Sequence, residues 1–229
     1  MSKYIFWDFQ GTLAKNDWML SKALYKVLRN EEPDTHISIE DFKTKPMLGF
    51  PWHDHEKDYL HLTSSDNWWK NAEDIFAGFY KVFGISEEKA LYYAKKVRLE
   101  LIKPDEFYLY EDTVEMLCYF KQRKFTNIIL SNHVPELESI VGKLGLSEHI
   151  SQCISSSNVG YEKPNPQIYK YALDKLQFIE EIWMVGDNII ADVKGAESVG
   201  IKGVLVRSKN DSSLKYHSDD LRGLKKIII

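Results

Sequence analysis

Five short apolar runs separated by segments of helical periodicity constrain this chain more than any other feature of its sequence. The runs cover residues 3–9, 126–130, 153–156, 182–185 and 203–206. Each has the length and composition of a buried strand. Helical patterns occupy residues 111–123, 135–144, 166–176 and 191–199, between or just ahead of the later runs. Segments of that length can carry the chain back across a sheet so that successive strands run parallel. The fold class read from this order is α/β, a doubly wound, Rossmann-like parallel sheet with its ligand crevice at the carboxyl ends of the strands.

Between the first and second runs the pattern is helical for about ninety residues. Met19-Leu20, Ala23-Leu24 and Val27-Leu28 repeat at helical spacing, and similar patterns cover residues 66–83 and 87–101. The expected division is a core of residues 1–15 plus 105–229 and an inserted α-helical cap over residues 16–104. Trp68, Trp69, Phe76, Phe79, Tyr80 and Phe83 lie at helical spacing and read as the apolar core of that insertion. The polar stretch 208–220 reads as a loop, and residues 225–229 as an edge strand or a truncated end.

Composition narrows the function classes. With 229 residues, 44% of them apolar, the chain can bury a sizeable core. No stretch approaches the roughly 20 apolar residues of a membrane-spanning helix. The first apolar run reaches Asp8 before any leader-cleavage pattern, and two cysteines are too few for a disulfide framework. These features predict a cytoplasmic protein without a membrane partner. A formal net charge of −4 argues against a nucleic-acid surface, which rests on clustered Lys and Arg. Small anionic substrates need only a local positive site. A monomer or weak dimer is expected.

Four short motifs carry the chemistry. Asp8-Phe9-Gln10-Gly11-Thr12 puts a carboxylate where the first run ends, with a glycine that permits a tight turn. Ser131-Asn132 offers a hydroxyl and an amide at the end of the second. Lys163-Pro164 brings an ammonium close to the start of a helix. Gly186-Asp187 through Asp192 supplies two carboxylates across a strand end and a helix start, a donor set suited to a hard cation. Alone, each is equally an ordinary turn, loop opener, solvated lysine or helix cap. Together they fall in order at successive strand ends.

In that conjunction the residues resemble the four motifs of the haloacid dehalogenase superfamily, over residues 4–206. The helical insertion resembles the cap that many members carry. The fourth motif resembles the magnesium-dependent phosphatases more than the dehalogenases. The resemblance implies hydrolysis of a small phosphorylated metabolite through an aspartyl phosphate on Asp8. Mg²⁺ would be held by Asp8, the backbone carbonyl of Gln10, Asp187 and waters. Lys163 would balance charge, and Ser131 with nearby N–H groups would bond the phosphoryl oxygens. Thr12 and Asn132 are expected to bind substrate, with Trp52 and His53 contributed by the cap where Gly49 and Pro51 break the helical pattern. Asn188 and Asp192 would orient the arrangement from the rim and from behind it.

Gln10 departs from the pattern. The family's phosphatases normally keep an Asp there, which protonates the leaving oxygen and later deprotonates water. A glutamine cannot titrate near neutral pH, and losing such a group typically forfeits about 10²- to 10⁴-fold in rate. The loss is smallest for leaving groups that need no proton, such as acyl or aryl phosphates. Three readings stay open: a slow or specialised phosphatase, with His133 either a substitute proton carrier or a plain surface histidine; a protein that binds phosphate and Mg²⁺ or holds an aspartyl phosphate without turnover; and a non-phosphate hydrolase such as a dehalogenase.

Overall fold

A computed structural model describes residues 2–209 and 214–229. Within the polar 208–220 stretch, positions 210–213 therefore lie outside the described residues. The chain opens with β1 (Ser2–Trp7) and the short β2 (Ala14–Lys15), followed by α1 (Met19–Glu31), α2 (Ile39–Thr44), α3 (Ser65–Val82) and α4 (Glu87–Leu101). It continues through β3 (Tyr108–Leu109), α5 (Thr113–Gln122), β4 (Phe125–Ser131), α6 (Leu137–Lys143), β5 (Gln152–Ser155) and α7 (Ser156–Val159). The remainder is α8 (Pro166–Leu173), β6 (Ile179–Gly186), a π-helical turn (Ile189–Lys194), α9 (Gly195–Glu197), β7 (Lys202–Val206) and β8 (His217–Ser218).

Six strands form one parallel sheet in the order β5-β4-β1-β6-β7-β8. The chain starts in the middle at β1, builds outward through β4 and β5, then crosses to the other side with β6. That reversal creates a switch point at the end of β1, where open α/β sheets bind ligands. Side chains alternate across the sheet. Ile5, Trp7, Ile129 and Val185 pack on one face with Met116, Leu117 and Phe120 of α5 and Ile140 of α6. Tyr4, Phe6, Leu130 and Met184 pack on the other with Ile168, Tyr169 and Ala172 of α8. Burial on both faces explains why the strands read as nearly continuous apolar runs.

The helices α1 to α4 pack mainly on one another. Ser38 starts α2 with a reciprocal cap: its hydroxyl accepts from Asp41 N–H and the Asp41 carboxylate accepts from Ser38 N–H. Trp68, Trp69, Phe76, Phe79 and Tyr80 are buried and Phe83 packs against the same core, as the helical spacing predicts. Where the chain leaves for these helices and returns, β2 and β3 pair antiparallel, Ala14 opposite Leu109 and Lys15 opposite Tyr108. Sequence periodicity missed this ladder because two-residue strands carry no pattern. Residues 225–229 do not form the expected edge strand. Arg222–Lys226 is a 3₁₀ turn that buries Leu224, and β8 takes the edge instead. No helix of the described residues is long and apolar enough to cross a membrane.

Candidate active site

Strand register brings the motifs together. Trp7 lies opposite Ile129 of β4 and Val185 of β6, so Asp8, Ser131 and Asp187 emerge at nearly one level. Asp8 N–H still donates to the Val185 carbonyl at 2.9 Å, which fixes its backbone to the end of the sheet. Beyond it the Phe9 carbonyl accepts from the N–H groups of Thr12, Leu13 and Ala14, closing a tight turn. Gly11 holds that turn at φ +91°, and a Cβ there would stand 2.4 Å from Asp187 Oδ2, so only glycine lets the carboxylate lie against the backbone.

Asp8 is 7% exposed. Its Oδ1 accepts from Ser131 Oγ at 2.8 Å and from Lys163 Nζ at 2.8 Å. Among the described residues nothing donates to Oδ2. Lys163 is 3% exposed and bridges to Asp192 Oδ1 at 2.5 Å. Burial opposes its charge, yet Asp192 and Asp8 more than offset this and hold the ammonium protonated.

Asn132 lines the cavity, but its amide has a different task from the expected substrate contact. Its Oδ1 accepts from Lys163 N–H at 2.7 Å and its Nδ2 donates to the Lys163 carbonyl at 2.9 Å, so it clamps the lysine's backbone in place. Thr12 is also not where a substrate contact would be. It is fully buried beneath the turn, outside the cavity lining, with Oγ1 3.5 Å from Asp187 Oδ1. The close turn points it inward.

Asp8, Asp187 and Asp192 each offer an oxygen within 4.8 Å of the others. Asp187 is pushed up to about 7, first by burial and then by the charges of Asp8 and Asp192, against the opposing pull of Lys163. Three carboxylates this close with one ammonium leave uncompensated negative charge, which is the environment of a hard divalent cation. Asp192 lies behind the lysine: it is 1% exposed, bonded to Lys163 through Oδ1 and to Asn188 N–H through Oδ2 at 3.0 Å. Asn188 is exposed and caps the π-helical turn, its Oδ1 accepting from Ile190 and Ala191 N–H. The oxygens left for a cation are those of Asp8, Asp187 and the Gln10 carbonyl, which accepts no backbone hydrogen bond among the described residues. These residues fit a divalent ion.

Gln10 reaches the cavity, and its Nε2 donates to the Asn16 carbonyl at 3.3 Å. A cavity of about 950 Å³ opens above the carboxylates, between the sheet ends and the helices α1 and α2. Trp52 lines it, stacked on Phe50 at 4.3 Å. His53 does not. It is on the same 3₁₀ turn (Pro51–His53) but exposed, and His55 lines the cavity in its place. Trp18, Met47, Lys43 and Lys45 also line it. Sequence reasoning missed these four because they punctuate helix ends, where periodicity is silent about direction.

Two buried polar groups are unusual. Among the described residues His133 lines the cavity with neither ring nitrogen partnered, and Glu162, beside Lys163, is pushed up to about 7 chiefly by burial, with Oε2 unpartnered. A fully buried histidine next to Ser131 corrects the surface position that an isolated histidine suggests.

The comparisons agree with this geometry. The family model described as haloacid dehalogenase-like hydrolase matches residues 3–200. The human haloacid dehalogenase-like hydrolase domain-containing protein 3 is 28% identical over 149 residues, 64% of this chain and 58% of that protein. A phosphoserine phosphatase from Thermus thermophilus is 38% identical over 101 residues, 43% of this chain and 40% of the enzyme. The matched stretches thus span about half the length of these relatives. The crystal structure of a 2-haloacid dehalogenase from Pseudomonas syringae superposes with a TM-score of 0.67 at 16% identity, covering 100% of this chain and 98% of that one. That likeness shows the fold alone. A parallel sheet with the motif residues gathered at its switch point, matched over nearly its whole length by one family model, places this chain in the haloacid dehalogenase-like hydrolase family.

Proposed function

We propose that the protein is a Mg²⁺-dependent phosphohydrolase acting on a small phosphorylated molecule, with Asp8 as nucleophile. The observation that carries this reading is the state of the Asp8 carboxylate. One oxygen is fixed by Ser131 and Lys163, the other is without a donor among the described residues, and Asp187 stands close enough to share a cation. A phosphate dianion repels a carboxylate, so attack needs charge neutralisation first. When bound, Mg²⁺ would neutralise the phosphoryl group, held by Asp8, Asp187 and the Gln10 carbonyl. Lys163 holds positive charge beside Asp8, Ser131 offers a hydroxyl to a phosphoryl oxygen, and Asn132 and Asp192 keep the lysine in place. In this proposal residues 16–104 act as a cap over a core of residues 1–15 and 105–229, and exclude water from the aspartyl phosphate.

The test is release of phosphate from p-nitrophenyl phosphate and acetyl phosphate with Mg²⁺ and after chelation. Turnover is expected with the metal and should drop by at least about 10²-fold without it. Gln10 favours a second reading, a phosphate-binding protein without turnover, because its amide is bonded to Asn16 and carries no titratable proton. Mg²⁺-dependent phosphate binding with no hydrolysis of either ester would select that reading.

Metal binding also has a pH signature. Asp187 and Glu162 have folded values raised to about 7, above the ordinary carboxylate range. A raised value means that the fold favours the protonated form, so this stabilisation is complete at acid pH and is lost as pH rises through about 7. The metal-free chain should lose thermal stability between about pH 4 and 7, the ordinary and the raised carboxylate values, and change little above that. A cation stabilises the ionised Asp187, so Mg²⁺ should raise Tm more at pH 8 than at pH 6. An equal rise at both, measured by thermal unfolding, would exclude Asp187 as a ligand.

A further inference from the structure

His133 is 3% exposed, and both ring nitrogens lack a partner among the described residues. The ring meets Phe9 edge-on, with centroids 5.5 Å apart, and lies 6.0 Å from the ring of Phe107. Its backbone is held from both sides: the N–H donates to Ser156 Oγ at 3.3 Å and the carbonyl accepts from Ser155 Oγ at 2.6 Å. The imidazole is thus packed in a largely apolar slot with both ring nitrogens buried, and the residue lines the same cavity as Asp8, Gln10 and Ser131. Burial pushes it down to about 4, so at neutral pH it carries one N–H donor and one acceptor, neither of them used. A buried polar ring left unpaired carries a desolvation penalty that calls for a functional partner.

The cavity supplies no proton where the family pattern has one. Gln10 is not titratable and its amide is bonded to Asn16. An alkoxide leaving a phosphate needs a proton at once. A carboxylate or phenolate does not, since its conjugate acid has a pKa of about 4 or about 10. The walls match such a leaving group. Trp52 and Met47 line the cavity, and Trp18, 56% exposed, is held at φ +60°, a backbone region that bulky residues rarely occupy.

We propose that the site takes phosphates carried on a carboxyl or phenol oxygen, and that the His133 N–H donates a hydrogen bond to that oxygen as it leaves. The proposal rests on the phosphohydrolase reading. In the first step an Asp8 oxygen forms a bond to phosphorus, the bond from phosphorus to the leaving oxygen breaks, and its electron pair departs as carboxylate or phenolate with no proton moved. In the second, water adds to phosphorus, the bond to Asp8 breaks with its pair returning to the carboxylate, and both hydrogens of the water finish on the released phosphate. The His133 acceptor nitrogen can receive a hydrogen bond from that water. An uncharged imidazole acting as a donor to developing negative charge has precedent in enzyme chemistry.

The experiment compares the parent chain, His133→Phe and Gln10→Asp, with Mg²⁺, on p-nitrophenyl, phenyl and ethyl phosphates and acetyl phosphate. The parent should lose at least about 10²-fold in kcat/KM from p-nitrophenyl to phenyl phosphate and should not turn over ethyl phosphate. Gln10→Asp should flatten that dependence and gain ethyl phosphate. His133→Phe should lower kcat on p-nitrophenyl phosphate by about 10- to 100-fold with little change in KM, and raise Tm because two unpaired nitrogens are gone. Equal turnover of ethyl and p-nitrophenyl phosphates by the parent would overturn the inference alone. So would an unchanged kcat in His133→Phe, or a loss of activity that merely follows a fall in Tm. Failure of all three proteins on every ester would overturn the phosphohydrolase reading and this inference with it.

Discussion

Asp8→Asn is expected to lower kcat on p-nitrophenyl phosphate by about 10⁴- to 10⁶-fold, because the amide can neither attack phosphorus nor leave as a carboxylate. The size of the effect follows from the arrangement around Asp8. Ser131 and Lys163 both direct hydrogen bonds at its Oδ1, and no second carboxylate shares that pair of donors. Asp187 is pushed up to about 7 by desolvation and by the charges of Asp8 and Asp192, and Asp192 has both oxygens occupied. The fold should tolerate the change. Asp8 raises Asp187 by repulsion, so removing its charge relieves a destabilising interaction while Lys163 keeps Asp192 as a partner. Steady-state assays and thermal unfolding together check this. Residual activity within about 10-fold of the parent would remove Asp8 from the chemistry.

The largest effect on stability is expected at Lys163. The ammonium is buried between Asp8 at 2.8 Å and Asp192 at 2.5 Å, and its backbone is clamped by Asn132. Lys163→Met keeps the volume but leaves the Asp192 carboxylate buried without its counter-charge. Breaking a buried pair from one side costs about 3–5 kcal/mol, far more than the net worth of the pair. Urea unfolding should show a loss of that order. The double variant Lys163→Met/Asp192→Asn should recover part of it, since the orphaned charge is then gone. If the double variant is no more stable than the single one, the loss comes from packing and not from charge. Activity should remain absent in both, because nothing then balances Asp8.

Much of this protein was legible in its residues. All five strands predicted for the core are present, each within a few residues of the expected ends, and their parallel order follows from the helices between them. The helices at residues 66–83 and 87–101 match α3 and α4 closely, because long amphipathic periods define their own limits, and the Ser64 hydroxyl caps α3 by accepting from Asn67 N–H. The carboxylates, the lysine and the serine were likewise visible, since glycine turns and strand ends mark places where polar residues gather.

Direction was not legible. Thr12 turns inward under Asp187, Asn132 folds back onto Lys163, and His55 takes the place expected of His53. Each of these lies in a bend, a tight turn or a 3₁₀ turn, where side-chain direction depends on backbone angles set by neighbouring segments and not by local periodicity. The same holds for His133. Its unpaired ring exists only because Phe9 and Phe107 close over it from segments far apart in the chain. The alternation of strand and helix and the chemical identity of the groups at the strand ends follow from residue order alone, because periodicity and turn residues are local properties. Which of those groups meet is set by contacts between distant segments. Hydrogen bonds such as Ser131 to Asp8, 123 positions apart, depend on the register of parallel strands, and that register is chosen by burial on both faces of the sheet.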